Sequence, residues 1–249
     1  VYNLQFAAEL LDHKGQKEKA AAFRKEAGEL ARRVNELYVD GKGIWKCRLP
    51  DGSYNEVHHC YDFGVTLMTI GDTMPAKQKK EMVGFFQREL QTPTWMRALS
   101  TRDLDVTFSI RPDHQWTGAY CAWPALALSG LFAAGEQTIA REWIKGLAKS
   151  AQQGPIAQAH FVEDFVTPES NGGAIKAPSD PPFINDWVCV SGCNYLEPVI
   201  DSIFGVNASL FGEITASPNF AGFDQRGELR NINYQGRRYT ATKDGVKRA

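Results

Sequence analysis

Two kinds of helical segment alternate along this chain, and that alternation constrains the fold more than any other feature of the sequence. The amphipathic segments, with apolar residues three and four apart, are 16–38, 75–91 and 137–150. The segments that are apolar on nearly every face are 1–11, 61–70, 120–134 and 187–204. A helix that is apolar all round is buried all round, whereas an amphipathic helix covers a core with one face. The order therefore predicts two nested layers, with the amphipathic helices outside.

The connections between these segments alternate in length as well. Turns that leave an apolar segment are short and carry glycine, the residue that a helix C-terminus prefers. The connections that leave an amphipathic segment are long and cover 39–60, 92–116 and 151–185. Because the chain zigzags between the layers, we expect all three long loops at the same end of the helices. The sequence thus predicts an all-α rosette of helical hairpins with one elaborate face, where long loops are usually functional.

The texture changes after Gly205. Short β-rich stretches near 212–215 and 239–242 flank a hairpin turn at 234–237. We therefore divide the chain into a helical catalytic domain over 1–205 and a small β appendage over 206–249. We expect the basic tail 243–249 to be frayed and solvated.

Composition removes several classes of function. The 249 residues carry a net charge of −1, which argues against a nucleic-acid-binding surface over the whole molecule. The sequence has no run of 18 apolar residues, so it predicts no membrane-spanning helix. It also has no phosphate loop and no nucleotide-binding fingerprint. Cys189 and Cys193 lie one helical turn apart, but no second pair has ligand spacing, so we expect neither metal nor cofactor. Oligomeric state and compartment stay open, a periplasmic or secreted location being the option considered.

The long loops concentrate tryptophan, histidine, arginine and acidic residues, which is typical of a substrate site. The candidate substrate contacts are Trp45, His58, His59, Arg111, His114, Trp116, Asn171 and Trp187. We expect the three loops to line one shared cleft, with Trp45 or Trp116 exposed in it. The structural alternative is that the loops are solvated connectors with locally packed side chains.

Two strings resemble motifs of the six-hairpin (α/α)6-barrel glycosidases, most closely those of the inverting α-glucosidase branch. Residues 113–124 (DHQWTGAYCAWP) resemble the Trp-Arg-Gly-Pro-x-Trp entry to an inner helix, with Gln115 in place of the arginine. Residues 161–173 (FVEDFVTPESNGG) resemble the Glu-Asn-Tyr-Asn-Pro-x-x-Gly loop, with Asp164 in place of the first asparagine and one extra residue. The resemblance covers about 1–205.

This resemblance implies a toroid of twelve helices, of which the chain holds seven. It also implies that Glu163 is the general base that activates water. The general acid would lie before the sixth helix, upstream of Val1, so that the barrel is incomplete at its N-terminus. Asp113 is the best acidic partner within the chain, and its alternative role is an N-cap or a ligand to a sugar hydroxyl. Glu163 itself has the alternative role of an ordinary loop carboxylate.

The predicted function is a glycoside hydrolase that cleaves a glycosidic bond of an oligosaccharide or polysaccharide by an inverting general acid–base mechanism. One alternative is an (α/α)-toroid polysaccharide lyase, in which Tyr and His remove a proton beside a uronic carboxylate that Arg neutralises. Its candidate residues are Asn55, His58, Tyr61, Arg111, His114 and Tyr120. The other alternative is a non-catalytic carbohydrate-binding scaffold. A second carboxyl facing Glu163 would favour hydrolysis, and a Tyr/His pair near an arginine would favour the lyase.

Overall fold

A computed structural model describes residues 1–103, 118–120, 122–151, 160–162, 175–176 and 196–249. About half of these residues are helical and about a fifth lie in strands. The α-helices of the described residues are α1 (Tyr2–His13), α2 (Lys17–Asn35), α3 (Cys60–Ile70), α4 (Ala76–Phe85), α5 (Ala122–Ala133), α6 (Gln137–Ala151) and α7 (Leu196–Pro198). A 3-10 turn covers Gly71–Thr73, and π-helical turns cover Phe86–Leu90 and Val199–Ile203.

The strands of the described residues form four small antiparallel sheets. They are β1 (Tyr38–Val39), β2 (Ile44–Arg48), β3 (Tyr54–Val57), β4 (Gly118–Tyr120), β5 (His160–Val162), β6 (Ile175–Lys176), β7 (Val206–Ala208), β8 (Ile214–Ala216), β9 (Leu229–Tyr234), β10 (Arg237–Thr242) and β11 (Gly245–Arg248). Their orders are β1-β2-β3, β4-β5-β6, β7-β8 and β11-β10-β9. The division of the chain at 205/206 stays a prediction.

The prediction of an all-α toroid is wrong, because the described residues of 1–205 include six strands and the fold mixes helices with sheets. The hairpin β2–β3 occupies most of the first predicted loop, with Trp45 opposite Val57. Its connection contains Pro50-Asp51-Gly52, a sequence that favours a turn between strands. Within this turn the backbone N–H of Ser53 donates to Asp51 Oδ1 at 2.9 Å.

The strongly periodic helices are confirmed, with bounds close to those predicted. The predicted segments 16–38 and 137–150 are α2 and α6, and the apolar segments 61–70 and 120–134 are α3 and α5. The segment 75–91 is divided into α4 and the π turn that follows it. Of the segment 187–204, the structure describes only the part from Leu196 onward.

The core is built where α3, α6 and the π turn after α4 meet. Phe63 stacks on Phe86 with ring centroids 4.5 Å apart, and Trp143 packs edge-on against Phe86 at 5.2 Å. The indole N–H of Trp143 donates to the backbone oxygen of Thr92 at 3.0 Å, which fixes the start of the second predicted loop. Trp95 is buried in the same cluster. The beginning of this loop is therefore part of the core.

Helices α3 and α5 approach each other through glycine. A Cβ on Gly64 would lie 2.8 Å from the backbone oxygen of Leu126, and a Cβ on Gly130 would lie 3.0 Å from Gly64 Cα. One helical turn further along, Met68 of α3 lines the same cavity as Phe132 of α5. The contacts thus move towards higher residue numbers along both helices at once, which indicates that α3 and α5 run in the same direction. Their N-termini therefore lie at the same end of the pair.

Two predictions about the chain ends are also wrong. Helix α1 is not buried on all sides, because Tyr2, Phe6 and Leu10 are 58%, 40% and 40% exposed and α1 packs mainly on α2. Apolar content alone does not decide burial, because a helix is buried on a given face only where another element packs against it. The tail is not frayed, because β11 pairs with β10 from Gly245 to Arg248. A second apolar cluster, which includes Phe204 and Phe220, supports the β-rich C-terminal part.

Candidate functional site

The end of the first predicted loop is joined to the second loop by backbone contacts around His58 and His59. His59 and Leu99 form an antiparallel bridge, and the N–H of Ser100 donates to the backbone oxygen of His58 at 2.9 Å. The backbone N–H of His58 donates in turn to Asp103 Oδ2 at 2.7 Å. We call residues 58–59, 89 and 99–103 the loop junction. It supports the expectation that these two loops share one face of the molecule.

Glu89 provides the central carboxylate of the loop junction. Its side chain is only 10% exposed and lies 3.2 Å from His58 Nδ1 and 3.5 Å from a guanidinium nitrogen of Arg102. The hydroxyl of Ser100 donates to the same carboxylate. Glu89 stands in the π turn Phe86–Leu90, and π turns inside helices are frequent at functional sites. Because its oxygens are already engaged, Glu89 is suited to positioning His58 rather than to accepting a substrate proton.

Asp62 is a second carboxyl group close to the loop junction along the chain. It lies in the first turn of α3, three residues after His59, and it is partly buried. Burial raises its pKa from the ordinary 3.8 to about 6, because removal from water disfavours the charged form. A carboxyl with such a pKa is substantially protonated at mildly acidic pH and can donate a proton to a leaving group.

The sheet β4-β5-β6 connects the end of the second predicted loop to the third. Gly118 pairs with Val162 and Tyr120 pairs with His160, so the start of β4 lies beside the end of β5. In sequence, Glu163 directly follows Val162, and residues 104–117 directly precede Gly118. Helix α5 begins two residues after β4, and its N-terminus lies at the same end as that of α3, which carries Asp62.

The sequence-derived site residues fall into two groups. Trp45 is 4% exposed and lies in the core edge-on to Tyr38, because β2 turns the indole inward. Of the two tryptophans expected in the cleft, it is therefore not the exposed one, and the exposure of Trp116 stays a prediction. His58 and His59 are partly buried in the loop junction. The remaining candidates lie outside the described residues and stay predictions: Asp113, Glu163, Arg111, His114, Trp116, Asn171 and Trp187.

Two carboxyl groups of the site were missed from sequence, although each left a signal. Glu89 occupies an i+3 position after Phe86 within an otherwise apolar stripe, where a carboxylate is out of place. Asp62 is the one charged residue in the apolar segment 61–70. A charged group on an apolar helix face requires a partner or a shifted pKa. Glu89 has partners, and Asp62 has a raised pKa.

Within the described residues, no three or more His, Cys, Asp or Glu side chains group in a way that would hold a metal ion. Across the same part of the chain, no helix combines the length and the apolar character needed to cross a membrane.

No protein-family model matches this chain. No curated protein matches it either. Among solved structures, a chain described as a sialidase shares its fold with a TM-score of 0.70 and 14% sequence identity. The match covers 96% of this chain, which spans 22% of the length of that structure. The resemblance to six-hairpin glycosidases is therefore wrong, and so is the twelve-helix toroid inferred from it. The chain has the mixed helix-and-sheet fold that it shares with this part of a sialidase.

Proposed function

We propose that this chain belongs to a carbohydrate-active enzyme that hydrolyses glycosidic bonds by general acid–base catalysis. The observation that carries the proposal is the raised pKa of Asp62, about 6, three residues along the chain from His59 of the loop junction. Glycoside hydrolysis needs one carboxyl that stays protonated and a second that is ionised. The fold shared with a sialidase favours carbohydrate as the substrate class.

Asp62 is the proposed general acid, which protonates the glycosidic oxygen as the bond breaks. This assignment replaces the acid expected upstream of Val1, which depended on the six-hairpin resemblance. Glu163 is the proposed partner carboxylate. A separation of about 6.5–9.5 Å between the two carboxyls would leave room for a water and give inversion, whereas about 5–5.5 Å would give retention.

The proposed partnership would span the length of the short strand β4. Gly118 faces Val162, so the chain leaves β5 towards Glu163 at the end where it enters β4. Beyond its other end, β4 leads within two residues into α5, which runs alongside α3 and Asp62. The other proposed sugar contacts, predicted from the sequence, are Arg111, Asp113, His114, Trp116, Asn171 and Trp187.

The loop junction would give the site its rigidity. Glu89 fixes the imidazole of His58 at 3.2 Å, and Asp103 fixes the backbone of the same residue at 2.7 Å. A side chain held from both its backbone and its ring retains one orientation, which a substrate-positioning residue needs. We therefore propose His58 and His59 as substrate contacts rather than proton donors.

The experiment is a hydrolysis assay of the full chain on a panel of aryl glycosides and oligosaccharides, with Asp62→Asn and Glu163→Gln tested in parallel. Each variant should lose about 10²–10⁴ in kcat, the usual size of a general acid or base effect. Asp72→Asn is the matched control, because Asp72 is exposed in the 3-10 turn after the same helix. Near-wild-type turnover by both active-site variants would overturn the proposal.

The products separate the remaining alternatives. A reducing-end sugar without ultraviolet absorbance supports hydrolysis. An unsaturated product that absorbs in the near ultraviolet would assign the chain to lyase chemistry instead. Sugar binding by the wild-type chain without turnover of any glycoside would leave the non-catalytic scaffold as the better description.

A further inference from the structure

A cavity of about 380 Å³ lies at the C-terminal ends of α3 and α5. Asp62 and the connection from β4 are at the opposite, N-terminal ends of the same helices. Met68 and Phe132 form part of its apolar wall, and Glu197 and Asp201 contribute two carboxylates one helical turn apart. The rest of the lining is mainly hydroxyl and amide side chains. A pocket that combines an apolar surface with a few polar groups is the usual form of a small-molecule site.

Main-chain hydrogen bonds hold the part of the cavity wall that contains Ser217 and Asn219. The N–H of Ser217 donates to the backbone oxygen of Gly205 at 2.8 Å, and the N–H of Asn219 donates to that of Ile203 at 2.8 Å. Gly205 has a φ of +62°, and a Cβ there would lie 2.0 Å from the backbone oxygen of Ser217. Only glycine permits this approach. The lining residues Ser217 and Asn219 therefore have fixed positions relative to the helical turn that carries Asp201.

Asn219 has a defined role in this wall. A guanidinium nitrogen of Arg141 donates to Asn219 Oδ1 at 3.0 Å. With its oxygen engaged, the amide of Asn219 offers its NH₂ group as a donor. The cavity therefore combines an amide donor with two carboxylate acceptors.

The carboxylates of Glu197 and Asp201 can accept hydrogen bonds from a ligand in the cavity. Among the described residues, no ion pair involves Glu197 or Asp201, and burial together with Glu197 raises the pKa of Asp201. Vicinal hydroxyl groups donate to carboxylates and accept from an amide NH₂, while the apolar face of a sugar ring packs on side chains such as Met68 and Phe132. A metal ion is less suited, because the amide NH₂ would face it and no third acidic or histidine ligand is grouped here in the described residues.

We propose that this cavity is a second binding site, for a neutral monosaccharide unit held by the carboxylates of Glu197 and Asp201, the amide of Asn219 and the apolar surface of Met68 and Phe132. It lies apart from the loop junction, so it would recognise a distal sugar without taking part in bond cleavage. The proposal stands on the cavity alone and does not require the hydrolase assignment.

The test is titration of the full chain with D-glucose, D-galactose, D-mannose and N-acetyl-D-glucosamine, followed by ligand-observed NMR and calorimetry. At least one sugar should bind the wild-type chain, and the double variant Glu197→Gln/Asp201→Asn should lose about tenfold or more in affinity, since each replaced acceptor weakens a charge-assisted hydrogen bond. Met68→Trp, which fills the cavity from a partly exposed position, should cause a similar loss without altering either carboxylate. Glu213→Gln, an exposed change outside the cavity, should retain wild-type affinity.

Asp62→Asn separates this proposal from the hydrolase assignment, because it should leave sugar binding at the cavity unchanged. Circular dichroism of each variant checks that the fold is retained. Absence of binding by all four sugars, or undiminished binding in both the double variant and Met68→Trp, would overturn the proposal. Binding of Ca²⁺ that the double variant abolishes, in place of sugar binding, would overturn it as well.

Discussion

His58 Nδ1 lies 3.2 Å from Glu89 Oε2 across a sequence separation of 31 residues, and this contact fastens the end of the first long loop to the π turn after α4. The pair is largely shielded from water, with 17% and 10% of the two side chains exposed. Three groups from two loops therefore depend on a single carboxylate, because Ser100 and Arg102 also contact Glu89.

Glu89→Gln should lower the free energy of unfolding by about 1–3 kcal/mol, because it weakens a buried, multiply bonded carboxylate while keeping its shape. Urea denaturation at pH 7 measures the effect. The control is Glu142→Gln in α6, whose partner Lys145 is 50% exposed and whose own side chain is 69% exposed. Surface pairs of this kind contribute less than about 1 kcal/mol, so the two variants should differ clearly. Equal midpoints would contradict the role given to Glu89.

The raised pKa of Asp62 predicts a pH dependence of stability with a definite sign. The native state binds the proton of Asp62 up to about pH 6, whereas the unfolded chain releases it near the ordinary value of 3.8. Stability should therefore fall as pH rises from about 4 to about 6, by about 1–3 kcal/mol in total. Asp62→Asn should match the wild type near pH 4 and exceed it at pH 7. Unfolding midpoints across this range measure the effect, and Asp72→Asn should keep the wild-type slope.

The proposed acid role of Asp62 predicts the pH dependence of the rate. A general acid must be protonated in the reactive state, so kcat/KM should decline as pH rises above about 6. Asp62→Glu should retain partial activity, with the decline of kcat/KM at high pH shifted. Asp62→Asn should lose most of the rate, and its remaining activity should not show this decline. A pH-rate profile on an aryl glycoside measures this. A wild-type rate that keeps rising through pH 8 would exclude Asp62 as the acid.

Two glycine-to-alanine changes should have opposite effects. Gly64→Ala places a methyl group 2.8 Å from the backbone oxygen of Leu126 and should cost about 1–3 kcal/mol of stability through overpacking. Gly28→Ala lies on an exposed face of α2 with no atom within 4 Å of the new Cβ, and it should stabilise the chain by about 0.5–1 kcal/mol. Thermal unfolding of both variants measures the difference. A stabilising Gly64→Ala would show that α3 and α5 can separate at little cost.

Sequence patterns predicted the helices where one periodicity extends over several turns. Helix α2 keeps Ala20, Ala27 and Ala31 buried on one side, and its charges lie on the other faces, so the pattern and the packing agree. Prediction failed where burial depends on partners distant in sequence. Among the described residues α1 packs mainly on α2, so Phe6 stays partly exposed, whereas β2 turns Trp45 into the core. Local spacing encodes neither outcome.

The site was only partly predictable for a related reason. Histidines in a loop indicate a polar site, so His58 was found, but its partner Glu89 lies in a helix that reads as ordinary packing. The pKa of Asp62 depends on how far its carboxyl is removed from water, which is a property of the tertiary structure. Sequence therefore indicated the region of the site but not the carboxyl groups that organise it.

The glycine contacts between α3 and α5 have a consequence for how this protein can change. At Gly64, Leu126 and Gly130 the two helices approach through their main chains, so main-chain contact limits the spacing between them. Substitution can enlarge or shrink a pocket lined by side chains. It cannot move α3 away from α5 without disrupting the main-chain contact between them. A laboratory selection for bulkier substrates should therefore leave both glycines untouched and accumulate its mutations in the long loops.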